Sequence, residues 1–387
     1  MATLIYTSGT TGPPKGVQLT HASIMAENRA CAAVTPFPVG GRFTSYLPSA
    51  HIGDRWGSHY YTSIMFGATI TAVADVRQVV GVLPEVRRNA WGAVPRIWEK
   101  IKAGLEAKGI TDPSALPDDV KAAVRAQLGL DQAQWLLCAA APIPSQVLEY
   151  FHALGLPVRE AWGMSELSCF ATINPADDNR VGTVGTALPG IELKLLDDGE
   201  LLARGPIVMK GYRKDPEKTA QAVDAEGWMH TGDVATIDED GYVTIIDRKK
   251  ELIINAAGKN MSPANIEQKL KSSSPLIGQA ICIGDMRPYN VALLVLDPDV
   301  CAQWAQQHGL ANASAAVLAQ DPRVHEEVAR GVEIANSQLS RVEQIKRFTI
   351  LPVDWGPGSE ELTPTMKLKR KPIHAKYTAE IDALYAD

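Results

Sequence analysis

The stretch Tyr6-Thr7-Ser8-Gly9-Thr10-Thr11-Gly12-Pro13-Pro14-Lys15-Gly16 decides how the rest of the chain is read. Its glycines let backbone N–H groups approach an anion, its hydroxyls add donors, and Lys15 puts positive charge where phosphate charge collects. It is not a Walker A loop. Counted from Gly9, the GxxxxGK[ST] pattern needs Gly where Pro14 stands and Ser or Thr where Gly16 stands. A plain hairpin tip is the bland alternative, disfavoured by an unbroken run of this composition from Thr7 to Lys15. Upstream, residues 4–7 read as a buried strand. Downstream, Thr20 reads as the N-cap of a helix through Ile24, Met25 and Asn28. The local order is strand, loop, helix.

Further units repeat that plan. Residues 68–74 read as a strand, 96–108 as a helix, and 145–154 as a helix feeding a short strand at 157–161, which together predict an α/β architecture. Residues 112–134 read as a surface excursion. After Thr183 the pattern changes to short strands at 191–196, 200–203, 234–237 and 242–246, a barrel-like β unit. Beyond Arg248 come strands at 252–254, 280–283 and 291–296, with helices opening at Ser262-Pro263 and after Asp321, a small α+β domain. The charge run Asp247-Arg248-Lys249-Lys250-Glu251 suits a solvated linker, so the domains are expected at 1–247 and 248–387.

Composition bounds the function. The 387 residues carry 38 Lys+Arg against 44 Asp+Glu, a net charge of −6, with 45% hydrophobic and 21% charged residues. That is ordinary globular composition for two or three domains, and it excludes disorder or coiled coil as the dominant state. An acidic total argues against nucleic acid as a partner, so an anionic ligand must be met locally. The cysteines, Cys31, Cys138, Cys169, Cys282 and Cys301, form no CxxC pair and suggest neither a zinc site nor a disulfide framework. No apolar run approaches the ~20 residues of a membrane span, and the expectation is a cytoplasmic, soluble protein.

Two further constellations carry chemistry. Trp162-Gly163-Met164-Ser165-Glu166 follows a strand at the edge of a parallel sheet, where α/β folds collect ligands. A carboxylate there can hold a hard cation bridging phosphates; an ordinary Glu in a helix's first turn fits equally well. Second, Asp240-Gly241 reads as a two-residue hairpin turn, so residues whose numbers sum to 481 face each other, and Asp233 meets Arg248. Such a pair can clamp a vicinal diol, Asp accepting and Arg donating, or it can be a cross-strand ion pair worth at most ~1 kcal/mol.

The glycine loop resembles the phosphate-binding signature of the adenylate-forming superfamily, which includes acyl-CoA synthetases, firefly luciferase and the adenylation domains of peptide synthetases. The resemblance extends in order through residues 162–166, 227–233 and 247–252 and covers nearly the whole chain. It implies that Thr7, Ser8, Gly9, Thr10, Thr11, Gly12 and Lys15 cradle ATP phosphates, and that Glu166 and Thr10 coordinate Mg2+. It places Trp162 against adenine, with Gly163 and Ser165 among the nucleotide-binding residues. Residues Cys138-Ala139-Ala140-Ala141-Pro142 are similar to the family's adenine-binding turn, which puts Ala140 beside the nucleotide. Asp233 and Arg248 then bind ribose, Lys250 is the hinge, and Gly258 lies on the coenzyme A face. Lys367, in Thr363-Pro364-Thr365-Met366-Lys367, aligns with the adenylation lysine, with Lys369 in reserve; on its own the run reads as a solvated basic tail.

Residues 46–55 and 94–101 resemble long-chain fatty acyl-CoA synthetases, particularly the bubblegum-type branch. His51 then stands near the acyl site, or serves simply as a helix-entry histidine. The implied reaction is ATP-dependent ligation of a long-chain fatty acid to coenzyme A through an acyl-adenylate. The alternatives are a nucleotide-binding remnant without turnover and an acyl-AMP ligase feeding a carrier protein. Because the loop begins at residue 7, the resemblance also implies that the front portion of the large domain is absent. What remains is expected to be the rest of the N-terminal domain, parallel sheets plus a β-barrel-like unit, with the small α+β domain behind it. A complementing N-terminal fragment and peripheral membrane contact follow as candidate partners, and exposed strand edges beside residues 4–7 as a liability.

Overall fold

The computed structural model describes residues 1–7, 14–255, 259–310, 314–356, 358–363 and 366–386. The chain divides into two compact units, Met1–Ile245 and Ile246–Asp387.

In the first unit the strand Thr3–Thr7 is one arm of an antiparallel hairpin with Lys15–Leu19, and Gly211–Tyr212 joins the outer side of the second arm. This corrects the expected order of strand, loop, helix, because a second strand intervenes before the helix. It also corrects the fully buried strand at 4–7: Thr3 and Ile5 are buried while Tyr6 is 61% exposed, the alternation of a strand with one covered face. The helix His21–Val34 then starts as expected. Thr20 Oγ1 accepts the N–H of Ser23 at 3.0 Å and Ser23 Oγ accepts the N–H of Thr20 at 3.1 Å, a reciprocal cap.

The central sheet runs Ala90–Ala93, Trp135–Cys138, Val158–Trp162, Thr172–Ile173, Thr186–Ala187. Its first three strands are parallel, so both faces need cover. One face packs on Trp98, Leu148 and Phe151 of the helices Pro95–Glu106 and Ser145–Ala153. The other packs on an aromatic cluster in which Trp56 stacks on Tyr61 at 4.7 Å and meets the edge of Phe170 at 4.9 Å. The excursion at 112–134 contains the helix Asp118–Gln127. The β unit after Thr183 is a four-stranded sheet ordered Glu192–Leu195, Glu200–Arg204, Met229–Ile237, Val243–Arg248, and the division between units falls within its last strand.

The turn joining those last two strands differs from expectation. Asp238 accepts the N–H of Gly241 at 3.0 Å and donates its own N–H to Tyr242 O at 3.0 Å, leaving a loop of Glu239, Asp240 and Gly241. Facing residues at the turn therefore sum to 480, and the counting that set Asp233 opposite Arg248 loses its premise. The cause is Asp238, whose Oδ1 takes the N–H groups of Asp240 at 3.0 Å and Tyr242 at 2.8 Å, with Gly241 at φ +85° closing the bulge.

The second unit is built on the sheet Ile277–Ile283, Asn290–Leu296, Ile345–Leu351. Its strands alternate between two cores. Ala280, Cys282 and Leu294 pack with Ile266 and Leu270 of the helix Pro263–Ser273 and with Val324 and Val328 of Pro322–Ser337. Ile281, Leu293 and Leu351 pack with Trp355, Ile373 and Tyr377.

Candidate functional site

The strand Val158–Trp162 delivers Trp162 to the sheet's edge, and the chain then folds back on itself. Ser168 at φ +61° and Cys169 at φ +142° make that reversal. It brings the carbonyl of Cys169 so close that a Cβ on Gly163 would lie 1.9 Å from it, so position 163 admits only hydrogen. Between these points the single helical turn Ser165–Leu167 presents Glu166, which is 7% exposed. Tyr212 donates its phenolic hydrogen to Glu166 Oε1 at 2.9 Å, and Met209 N–H is held by the Glu166 carbonyl at 2.8 Å.

Tyr212 links that carboxylate to the glycine loop. Its strand pairs with Val17, and Lys15 Nζ lies 4.8 Å from its ring centroid. Lys15 itself pairs with Thr7 across the hairpin that carries the loop. Ser8, Gly9, Thr10, Thr11 and Gly12 lie outside the described residues. Tyr212 was not singled out in the sequence; the signal that marks it is the GY dipeptide closing the sheet beside residues 17 and 18.

Trp162 and Asp233, 71 positions apart, meet directly: the indole Nε1–H donates to Asp233 Oδ2 at 2.8 Å. Both are buried. Asp233 is held by its neighbours, its N–H donating to Thr231 Oγ1 at 3.1 Å while Thr231 donates to Leu201 O at 2.6 Å. Ala140, after the strand Trp135–Cys138, is exposed and adopts φ +78°, a left-handed conformation. Ser165 heads the turn of Glu166. Two residues before Trp162 on the same strand, burial pushes the Glu160 carboxyl up to about 7, partly countered by the N–H of Gly182 donating to it at 2.8 Å. His51 caps the short helix Ile52–Asp54, its Nδ1 accepting the N–H of Gly53 at 3.1 Å.

In the second unit, Lys367 occupies a tight hairpin. Leu362 and Leu368 bridge, Thr363 N–H donates to Lys367 O at 2.9 Å, and Lys367 N–H donates to Thr363 Oγ1 at 3.0 Å. Lys367 is exposed, whereas Lys369 is tied down, its Nζ donating to Ser359 O at 2.7 Å. Arg248 and Lys250 are exposed, Lys250 in the turn closed by Glu251 N–H on Arg248 O at 2.9 Å. The start of the expected linker is not solvated. Asp247 is buried, accepting from Ser262 Oγ at 2.6 Å and from Ala264 N–H at 3.1 Å at the N-terminus of the helix Pro263–Ser273. Gly258 lies outside the described residues, within the connection between the strands Ile253–Ile254 and Asn260–Met261.

The profile of the AMP-binding enzyme family matches residues 1–213, and that of the AMP-binding enzyme C-terminal domain matches 250–387. The chain is 51% identical over 422 residues to fadD11 of Mycobacterium tuberculosis, a fatty-acid–CoA ligase by name, covering all of this chain and 74% of that relative. It is 33% identical over 445 residues to the long-chain-fatty-acid–CoA ligase ACSBG2 of Xenopus laevis, covering all of this chain and 60% of that one. Among solved structures, o-succinylbenzoate coenzyme A synthetase of Bacillus subtilis, in complex with ATP and magnesium ion, superposes with a TM-score of 0.71 at 23% identity, over 96% of this chain and 69% of that chain. That last likeness concerns the fold.

Proposed function

Because the chain belongs to the AMP-binding enzyme family, we propose that it ligates a long-chain fatty acid to coenzyme A, converting ATP to AMP and pyrophosphate. The observation that carries this reading is the alignment of Lys15, Tyr212 and Glu166, which sets a cation and an oriented carboxylate at the exit of the glycine loop.

A carboxylate is a poor acyl donor until its oxygen joins a good leaving group. In the first step one carboxylate oxygen of the fatty acid bonds to the α-phosphorus as the α–β bridge breaks, and that electron pair leaves with pyrophosphate. In the second step the sulfur of coenzyme A, its proton lost to solvent, bonds to the acyl carbon and AMP departs. Trp162 offers its face to adenine beside Ala140, Gly163 and Ser165, Asp233 and Arg248 take the ribose hydroxyls, and Lys15 with Lys367 offsets charge on the departing pyrophosphate.

Mg2+ fits the donors present. Glu166 supplies one buried hard oxygen ligand, and among the described residues no group of three or more His, Cys, Asp and Glu side chains could hold a metal ion. Glu166, with Thr10 as the loop hydroxyl, would hold such a cation. When bound, the ion neutralises the triphosphate and polarises its phosphoryl oxygens. Residues 1–247 serve as the nucleotide-binding domain and 248–387 as the mobile domain, with Lys250 as hinge and Gly258 facing coenzyme A. His51 lies towards the acyl chain. Likeness to ACSBG2 supports a place beside the bubblegum-type branch, although fadD11 shares more identity. A cytoplasmic or membrane-peripheral location belongs to the same reading; among the described residues no helix is long and apolar enough to cross a membrane.

The test is pyrophosphate release dependent on palmitate, ATP and coenzyme A, with Lys367→Ala alongside. Palmitate-dependent release that the variant abolishes supports the reading; equal activity in the variant sinks the lysine assignment. Acyl-adenylate that coenzyme A fails to discharge would favour delivery to a carrier protein. AMP binding in a calorimeter with no product would mark a binding remnant.

A further inference from the structure

Lys367 pairs with Thr363 at the closing end of a hairpin, so something must fix the direction in which that hairpin points. Residue Arg370, three positions on, begins the helix Arg370–Lys376 and is largely buried. Its guanidinium forks onto Glu267, with Nη1 to Oε1 at 2.6 Å and Nη2 to Oε2 at 2.8 Å, and its Nε reaches Glu251 Oε2 at 3.3 Å. Glu267 is 5% exposed and also accepts the N–H of Cys282 at 2.8 Å, which anchors the fork to the strand Ile277–Ile283 at the edge of this unit's sheet.

The partners of that fork matter more than its strength. Glu251 adjoins Lys250 in the turn closed on Arg248. On the other side of the same turn, Asp247 is bound to Ser262 and Ala264 at the start of the helix that carries Glu267. The turn is thus pinned on one flank to the helix Pro263–Ser273 and on the other to the arginine that follows the Lys367 hairpin. A lysine at 370 could not span these oxygens, because its single nitrogen lacks the planar fork.

We propose that Arg370 is a positioning residue for Lys367, locking the lysine hairpin to the Lys250 turn so that both move as one rigid piece during adenylation. The proposal rests on the reading of Lys367 as the adenylation lysine. Arg370 touches no substrate; it acts by holding the hairpin's base. Misplacing a charged group by about 1 Å is enough to lower a chemical step about 10²-fold.

The experiment separates the two half-reactions in the full chain. Fatty-acid-dependent exchange of pyrophosphate into ATP reports adenylation, and thioester formation from supplied acyl-adenylate and coenzyme A reports the second step. Because Arg370→Ala leaves Glu267 buried and unpaired, the deciding variant is Arg370→Met with Glu267→Gln, which is neutral and keeps an acceptor for Cys282. In it, the kcat for exchange should fall about 10²-fold with the ATP KM within about threefold, while the second step stays within about threefold. Arg370→Lys should recover part of the loss. Equal loss in both half-reactions means a merely structural role and overturns the proposal, as does unchanged exchange. Lys367→Ala run in parallel tells the failures apart: if it retains exchange, the reading of Lys367 has failed, and if it abolishes exchange while the Arg370 variants keep it, only the positioning role has.

Discussion

The hydroxyl of Tyr212 donates to Glu166 Oε1 at 2.9 Å, so the acidic residue of the Trp162–Glu166 motif is oriented by a residue 46 positions away. As the proposed Mg2+ ligand, a carboxylate held in this way would present its other oxygen to the cation with little freedom to rotate. Tyr212→Phe keeps the ring against Lys15 and removes only that donor. The expected result is about a tenfold rise in the Mg2+ concentration giving half-maximal pyrophosphate release, with a smaller change in the fatty-acid KM. A magnesium titration of the two proteins checks it, and an unchanged midpoint would show that the hydrogen bond does not orient the ligand.

The bond between Trp162 Nε1 and Asp233 Oδ2 predicts that the adenine and ribose ends of the proposed nucleotide site are coupled. Asp233→Ala and Trp162→Phe should each raise the ATP KM. The double variant should cost less than the two single effects combined, by about 1 kcal/mol, because each single change already breaks the shared bond. Full additivity in the double-mutant cycle argues against coupling.

Glu27 gives a pH prediction. It is fully buried, its Oε1 accepts from Cys31 Sγ at 3.1 Å and Phe170 N–H at 3.3 Å, and burial pushes its carboxyl up from 4.5 to about 8. The folded state therefore binds the proton more tightly than the unfolded chain. The resulting stabilisation is complete below about pH 4.5, declines as pH rises towards about 8, and is gone above that. Glu27→Gln should remove this slope, making the variant relatively more stable at pH 9 than at pH 5. Urea unfolding at both pH values measures the difference, on the order of 4 kcal/mol.

How much of this was legible in the sequence follows from how local each signal is. Thr20, Ser262 and Asp321 announce helix starts through a side chain that reaches only two or three residues, and each caps as expected. The strand Lys15–Leu19 is hidden because its five residues lie between the glycine loop and the Thr20 helix cap, with no turn residue to mark a strand end. The hairpin register slipped by one because Asp-Gly serves both two-residue and bulged three-residue turns, and Asp238, one side chain upstream, selects between them. The buried Asp247 is illegible for a related reason: in a run of five charged residues nothing local marks the one that caps a helix 15 positions later. Tyr212 needed the sheet to bring it home.

Ala140 offers a test of backbone strain. A left-handed φ of +78° costs an alanine roughly 1–2 kcal/mol, more than the ~0.5–1 kcal/mol of extra entropy that a glycine loses on folding. Ala140→Gly should thus stabilise the chain slightly, against the usual trend for that substitution. Thermal unfolding reads the sign, and a lowered Tm would mean that the methyl group contributes packing the strain argument ignores.

Position 163 illustrates a separation between tolerance and chemistry. Since the carbonyl of Cys169 fills the space where a Cβ would go, a saturation scan should find no acceptable replacement there, although hydrogen contributes no charge, donor or nucleophile. Sites that vary freely around it could still carry the reaction. In such a scan the most conserved-looking column would record a collision inside the turn, and engineers seeking a different acyl preference would do better to leave that residue untouched and vary the surfaces it holds in place.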